Sequence, residues 1–209
     1  MTVLNKIAYF QDRRDEVPNQ ELARELAQTR NTAGILEIAE NLWNKEANIQ
    51  SNCLKVLYEM GYLAPELIAD YAGDFLKLLK QRNNRMVWGG MIALSTIAKL
   101  KADELFEHVP DIIQTMEKGT VITNDAGIKI LADIAASNEV YHPRIVPYLL
   151  QRLAASRPVD APRYAEKIAP AVGRAYKAEF IHILETWIKS ASGSRLSRLK
   201  KSLKDAQTG

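Results

Sequence analysis

The sequence repeats a pattern of small and aliphatic residues at a fixed interval of 37 positions, the distance from Gly90 to Gly127. The segments Gly90–Ala98 and Gly127–Ala135 carry Gly, Leu, Ile and Ala at the same offsets, without a gap. An earlier segment fills the same offsets with Cys53, Leu57, Met60 and Gly61. Each spacing is i, i+4, i+7, i+8, which is one face of an α-helix. Because a single such unit cannot bury its apolar stripe, the repeat restricts the chain to stacked helical units.

A second helix precedes each of these in the same register. Its apolar stripe is clearest at Ala72, Phe75, Leu76 and Leu79, and Ile112, Ile113 and Met116 repeat the last three of these positions. The register continues weakly to Ile35 and Ile183, whereas the segment 20–28 fits only after a shift, as terminal units often do. The pattern predicts about five two-helix units. The expected fold is all-α, a right-handed superhelix with a period of 37 residues.

Prolines and asparagines predict where these helices begin. Pro65, Pro143 and Pro162 fit first-turn positions, where a missing N–H group costs little. Pro110 and Pro147 are expected deeper in their helices, where they would introduce kinks. We expect Asn84 to cap the helix before Trp88, and Asn124 or Thr123 to cap the helix that follows them.

Composition and charge exclude several classes. Aromatic residues make up 7% of the chain and long β-branched runs are missing, which disfavours an all-β fold. A single cysteine excludes an internal disulfide framework and fits a reducing compartment. No apolar run is long enough to span a bilayer, and the first 15 residues do not read as a secretory signal. These observations predict a cytoplasmic protein.

The frame of two helices joined by a short turn resembles the HEAT-repeat family of armadillo-type α-solenoids. The resemblance covers about residues 31–190 and is best over 66–155, where segments 107–113 and 126–134 match the first and second helices of a unit. HEAT units often carry an arginine early in the second helix. Here those positions hold Gln50, Val87 and Asn124, so the resemblance is to the general solenoid rather than to a strict HEAT consensus.

The resemblance implies that second helices line a concave groove, and helical phase then selects candidate residues. With 100° per residue, the positions opposite the core stripe combine aromatic, aliphatic and basic side chains. Aromatic residues and arginine are enriched at interaction hot spots. The predicted partner-binding residues are Tyr58, Tyr62, Arg85, Trp88, Ile92 and Lys129. Trp88 has a competing interpretation, in which it only packs against a neighbouring second helix.

The predicted function is therefore a non-catalytic scaffold that binds a protein or peptide in the groove. The alternative is a nucleic-acid-binding or DNA-processing solenoid, since some DNA glycosylases use HEAT-like repeats with aromatic groove residues. Residues 1–190 carry a net charge of −1, which argues against phosphate binding by that part. The sequence does not determine the oligomeric state.

Other chemistry-bearing residues have structural interpretations. His108, His142 and His182 share no metal-ligand spacing, so they predict surface or edge histidines and no metal site. Cys53 occupies a core-stripe position and is expected to be a small buried residue rather than a nucleophile. Gly89-Gly90 lacks the surroundings of a phosphate-binding loop. No cofactor and no enzymatic activity are predicted.

Residues 191–209 are predicted to form a separate basic helix and tail after a solenoid over residues 1–190. They hold five basic residues and one aspartate, a net charge of +4 against +3 for the whole chain. Leu196, Leu199 and Leu203 form one apolar stripe in a helix that Ser194 would cap. Either the leucines seal the last unit, or the helix is a free arm for an acidic partner, nucleic acid or an anionic membrane. The basic face consists of Arg195, Arg198, Lys200, Lys201 and Lys204.

Overall fold

A computed structural model describes residues 2–208, and within that range the regular structure is entirely helical. Short 3-10 turns connect many of the longer helices. The α-helices are α1 Val17–Thr29, α2 Thr32–Glu40, α3 Ala47–Leu63, α4 Ala72–Leu78, α5 Asn84–Ile97, α6 Ala102–Glu107, α7 Val109–Lys118, α8 Val121–Ser137, α9 His142–Ala154, α10 Ala161–Ile168, α11 Lys177–Ser190 and α12 Gly193–Thr208.

The chain divides into two compact units. The first comprises the residues up to Lys101 together with Asp111–Ala126, and the second comprises Ala102–Pro110 and the residues from Gly127 onward. In the first unit, α3 packs between α1 and α5, so these three helices form one layer. Helices α2 and α4 pack against α3 and α5, respectively. The first unit therefore pairs two second helices of the sequence repeat, α3 and α5, with their first helices, α2 and α4.

The repeated core positions are buried as predicted. Leu57, Leu94 and Leu131 are each 0% exposed, in α3, α5 and α8. Cys53, Met60 and Gly61 in α3 are also buried. Because these residues recur at one helical face, the stripe that defines the sequence repeat is the stripe that forms the core.

The position of α1 explains why segment 20–28 did not fit the sequence register. α1 lies beside α3, in the layer of second helices, and buries Leu22, Ala23 and Leu26. It is preceded by two short 3-10 helices, and Val3 and Ile7, which flank the first of them, are buried. The N-terminal end of the first unit is thus closed by irregular turns rather than by a full first helix.

Several boundary predictions were wrong. Pro110 lies in the first turn of α7, because the chain turns at His108 and separates α6 from α7. Asn83, not Asn84, caps α5 by accepting a hydrogen bond from the backbone N–H of Arg85 at 3.0 Å. Helix α8 begins before Asn124, whose side-chain amide instead donates to the carbonyl oxygens of Met116 and Thr120. Proline is tolerated in the first turn of a helix, where its missing N–H group has no helical partner to lose. The cap is the residue just before the helix, so a helix that begins earlier than expected has an earlier cap.

Other predicted boundaries are confirmed. Pro143 and Pro162 lie in the first turns of α9 and α10, and Pro147 lies inside α9. The chain breaks after Ser190 and begins α12 at Gly193. The predicted N-cap at Ser194 is therefore wrong, because Ser194 lies in the first turn of this helix. In the second unit, α9 packs against α10 and α11, and α12 packs against the same two helices.

Candidate partner-binding surface

Helices α3 and α5 approach closely enough to form one continuous surface. A Cβ atom at Gly61 would lie 2.1 Å from Thr96 Oγ1, and a Cβ atom at Gly89 would lie 2.5 Å from Leu54 Cδ2. These glycines are buried on the facing sides of the two helices. Side chains that emerge beside this contact therefore meet across it.

Three aromatic side chains form a cluster at this contact, which we call the aromatic cluster: Tyr58, Tyr62 and Trp88. The ring centroids of Tyr58 and Tyr62 are 6.4 Å apart in an edge-on arrangement, and those of Tyr58 and Trp88 are 6.4 Å apart in a tilted one. Tyr58 is 7% exposed, whereas Tyr62 is 61% exposed and Trp88 is half-buried. Tyr58 thus supports the cluster from the α3–α5 interface, and Tyr62 presents its ring to the surface.

Two ion pairs flank the aromatic cluster. Lys55 Nζ lies 2.8 Å from Glu59 Oε1, one turn along α3, and 4.9 Å from the centroid of the Tyr58 ring. Burial by itself would lower the pKa of Lys55, but hydrogen bonds to Glu59 and Tyr58 outweigh it, and the pKa is raised. Burial also raises the pKa of Tyr58. Lys55 therefore stays charged and Tyr58 stays neutral at physiological pH.

The second pair joins α5 to the start of α1. Arg85 Nη2 donates to Glu16 Oε1 at 2.8 Å, and both side chains remain partly exposed. Glu16 was not among the sequence-predicted residues. The sequence offered no signal for it, because segment 20–28 does not share the repeat register and the position of α1 beside α3 could not be derived.

Arg85 also borders a polar depression in the first unit, with a volume of about 310 Å³. Residues of the N-terminal turns form one wall, and Asn48 and Asn52 of α3 form another. The side chain of Asn52 accepts a hydrogen bond from the backbone N–H of Tyr9 at 3.1 Å. The N-terminal turns are thereby attached to α3 at the edge of the candidate surface.

The remaining predicted groove residues lie in different places. Ile92 follows Trp88 by one turn of α5 and is half-buried. Lys129 belongs to the second unit, where its ammonium group pairs with Asp133 of the same helix, α8. The structure thus places Tyr58 beside both Tyr62 and Trp88, with Arg85 and Ile92 on the same helix as Trp88. Their role in binding stays a prediction.

The basic face of α12 lies on a helix that is packed rather than free. Leu199 and Ser202 are buried, and Leu196 and Leu203 are half-buried. Arg198 donates two hydrogen bonds to the carboxylate of Glu166 in α10, at 2.7 Å from Nε and 2.5 Å from Nη2. These hydrogen bonds from Arg198 lower the pKa of Glu166. All five basic residues of the predicted face are exposed, namely Arg195, Arg198, Lys200, Lys201 and Lys204.

Cys53 has the buried, structural environment that its repeat position predicted. It is 0% exposed, and burial, together with the negative charge of Glu37, raises the pKa of its thiol to about 12. The raised pKa lowers the fraction of reactive thiolate at neutral pH, which disfavours nucleophilic chemistry at Cys53.

The histidines do not converge on a metal site. His142 lies against Ala135, with Nε2 at 3.1 Å from its carbonyl oxygen, and His182 is exposed. Among residues 2–208, no group of three His, Cys, Asp or Glu side chains is placed to hold a metal ion. Over the same range, no helix has the length and apolar character needed to cross a membrane.

Comparison with solved structures identifies the fold. An engineered protein from a structural genomics consortium matches with a TM-score of 0.70 and 15% identity, over 100% of this chain and 98% of that chain. A designed armadillo repeat protein in complex with the peptide (KR)4 matches with a TM-score of 0.70 and 13% identity, over 90% and 86% of the two chains. Computationally designed armadillo repeat proteins for modular peptide recognition match with a TM-score of 0.67 and 13% identity, over 91% and 94%.

No protein-family model and no curated protein matches the sequence. The structural matches and the all-helical architecture show an α-solenoid of the HEAT/armadillo type. The fold class predicted from the repeat is thereby confirmed. At these identities the matches show the fold alone.

Proposed function

We propose that this protein is a non-catalytic repeat scaffold that holds a peptide segment of a partner protein against the groove face of α3 and α5. The observation that carries this proposal is the aromatic cluster, which presents Tyr62 and half-buried Trp88 on the layer of second helices. Aromatic side chains supply large contact areas at low entropic cost, and they dominate binding hot spots. Two of the similar solved structures are designed armadillo repeat proteins described by their recognition of peptides, which supports the same use of this fold.

The cluster is organised before any ligand arrives. Tyr58 is fixed between α3 and α5, and it contacts both Tyr62 and Trp88. A rigid surface loses little conformational entropy when a peptide binds, which favours affinity. The nucleic-acid alternative gains no support from this surface, because both of its cations, Lys55 and Arg85, already face carboxylates.

In the same proposal, residues 1–190 form the solenoid and residues 191–209 form its capping helix. Burial of Leu199 and the hydrogen bonds from Arg198 to Glu166 support a capping role for α12 rather than a free arm. We place the scaffold in the cytoplasm, in keeping with its single buried thiol, Cys53.

Selection from a random peptide library displayed on phage, with the immobilised protein as target, tests the function. We expect enriched peptides whose binding falls by more than about 1 kcal/mol in Trp88→Ala, because a hot-spot ring is lost. Trp43→Ala is the matched control, since Trp43 is 43% exposed in another part of the first unit and contacts Lys77 instead. Equal affinity of Trp88→Ala and the parent protein, or failure to enrich any peptide, would refute the proposal.

A further inference from the structure

The charges beside the aromatic cluster are paired with each other. Lys55 and Glu59 lie 2.8 Å apart, with side chains only 14% and 24% exposed. Arg85 and Glu16 lie 2.8 Å apart and join α5 to α1. Glu16 and Glu59 thus each have a cation at hydrogen-bond distance, and these four groups sum to zero charge.

This pairing determines which class of peptide meets the smallest electrostatic cost when it binds. A basic peptide needs Glu16 or Glu59 as its partner, and it must share that carboxylate with Arg85 or Lys55, whose positive charge repels it. An acidic peptide likewise must share Arg85 or Lys55 with the carboxylate that already pairs with it. An uncharged peptide displaces neither pair, and it covers the apolar surface that Tyr62, Trp88 and Ile92 offer.

We propose that the aromatic cluster selects uncharged peptide segments with apolar side chains, rather than basic peptides such as the (KR)4 peptide held by one similar solved structure. This inference rests on the proposed function and names the ligand class of the same surface. Affinity then comes from burial of aliphatic side chains or proline rings against Tyr62 and Trp88. Since no net charge attracts the ligand, binding depends little on ionic strength.

Three octapeptides of equal length test the proposal by fluorescence polarisation: (LPTP)2, (KR)4 and (DE)4. We expect (LPTP)2 to bind at least about tenfold more tightly than either charged peptide at 0.15 M salt, the physiological value. Its Kd should change less than about twofold between 0.01 and 1 M salt, a range that shortens the Debye length from about 30 to 3 Å. Tyr62→Ala should abolish this preference without unfolding the protein, because Tyr62 is mostly exposed.

A charge variant tests the reasoning directly. Arg85→Gln removes the cation that faces Glu16 and leaves a carboxylate available to a basic ligand. We expect (KR)4 to bind about three- to fivefold more tightly to Arg85→Gln than to the parent protein at low salt. Arg30→Gln is the matched control, since it breaks a comparable exposed pair with Glu66, whose nitrogen and oxygen lie 3.0 Å apart.

The outcomes separate this inference from the proposed function. Tighter, salt-sensitive binding of (KR)4 or (DE)4 by the parent protein, lost in Tyr62→Ala, would overturn the ligand class and leave peptide binding intact. An unchanged (KR)4 affinity in Arg85→Gln would overturn the ion-pair argument. If the phage selection enriches no peptide and none of the octapeptides binds, the function itself fails.

Discussion

Replacing glycine by alanine should have opposite effects at two positions, one inside the contact between α3 and α5 and one outside it. Gly61→Ala would place a Cβ atom 2.1 Å from Thr96 Oγ1 and 2.9 Å from Ile68 Cδ1. Gly73→Ala, in α4, would place its Cβ atom where nothing lies within 4 Å. Both changes raise helix propensity, but only the first forces two packed helices apart.

The magnitudes follow from these two terms. Alanine stabilises a helix relative to glycine by roughly 0.5–1 kcal/mol, so Gly73→Ala should raise the free energy of unfolding by about that amount. Overpacking a core costs about 1–3 kcal/mol, so Gly61→Ala should lower the free energy of unfolding by about 1–2 kcal/mol after the propensity gain. Urea denaturation followed by far-UV circular dichroism measures both differences.

A double-mutant cycle tests the cause. Thr96→Ala removes the hydroxyl nearest to the new Cβ atom, and that hydroxyl otherwise donates to Ala93 in its own helix at 2.7 Å. We expect Gly61→Ala to cost less in the Thr96→Ala background, with a coupling energy of about 0.5 kcal/mol or more. A stabilising Gly61→Ala, or additive effects of the two changes, would refute the close approach of α3 and α5.

The remaining predictions concern the core, the thiol and the C-terminal helix. Leu94→Ala, at a site with 0% exposure in α5, should destabilise the protein by about 2–5 kcal/mol in the same denaturation assay, whereas Leu100→Ala, at a site with 54% exposure, should cost under about 1 kcal/mol. Cys53 should resist a thiol reagent in the native protein and react after denaturation, and any rapid native reaction would contradict its burial. Because the thiol pKa is about 12 in the folded protein and 9.0 as its ordinary value, the unfolded chain loses this proton first. Stability should therefore fall as pH rises from 9.0 toward 12, and less steeply in Cys53→Ala. Deleting residues 192–209 should lower the melting temperature and promote aggregation if α12 is a cap, and unchanged stability would contradict that role.

The sequence predicted the core of the fold because the residues that a helix buries on one face recur at a short, fixed spacing along the chain. Leu57, Leu94 and Leu131 occupy the same position in successive repeats, and all three are buried. Cys53 was identified as a core residue from its repeat position alone. Local boundaries were less predictable, since Pro110 fits either a helix interior or a first turn, and the choice depends on the turn that the chain makes at His108.

The candidate surface was predictable only in part. Helical phase placed Tyr62, Trp88 and Ile92 away from the core stripe, and the structure leaves all three at least partly accessible. The same phase gave Tyr58 an outward position, yet Tyr58 is almost fully buried because α5 packs beside it. Helical phase gives the direction of each side chain around the axis of a single helix. The neighbouring helix determines how much of that side chain remains exposed.

What the sequence determined by itself was the helical character, the repeated apolar stripe and the identity of the core, because all three depend on spacing along the chain. Only the tertiary structure decided that α1 stands in the layer of α3 and α5, and that Glu16 therefore reaches Arg85. The two residues are 69 positions apart. A contact over that separation depends on how whole helices pack, for example on the close approach of α3 and α5 at Gly61. The local periodicity of the sequence does not encode such packing.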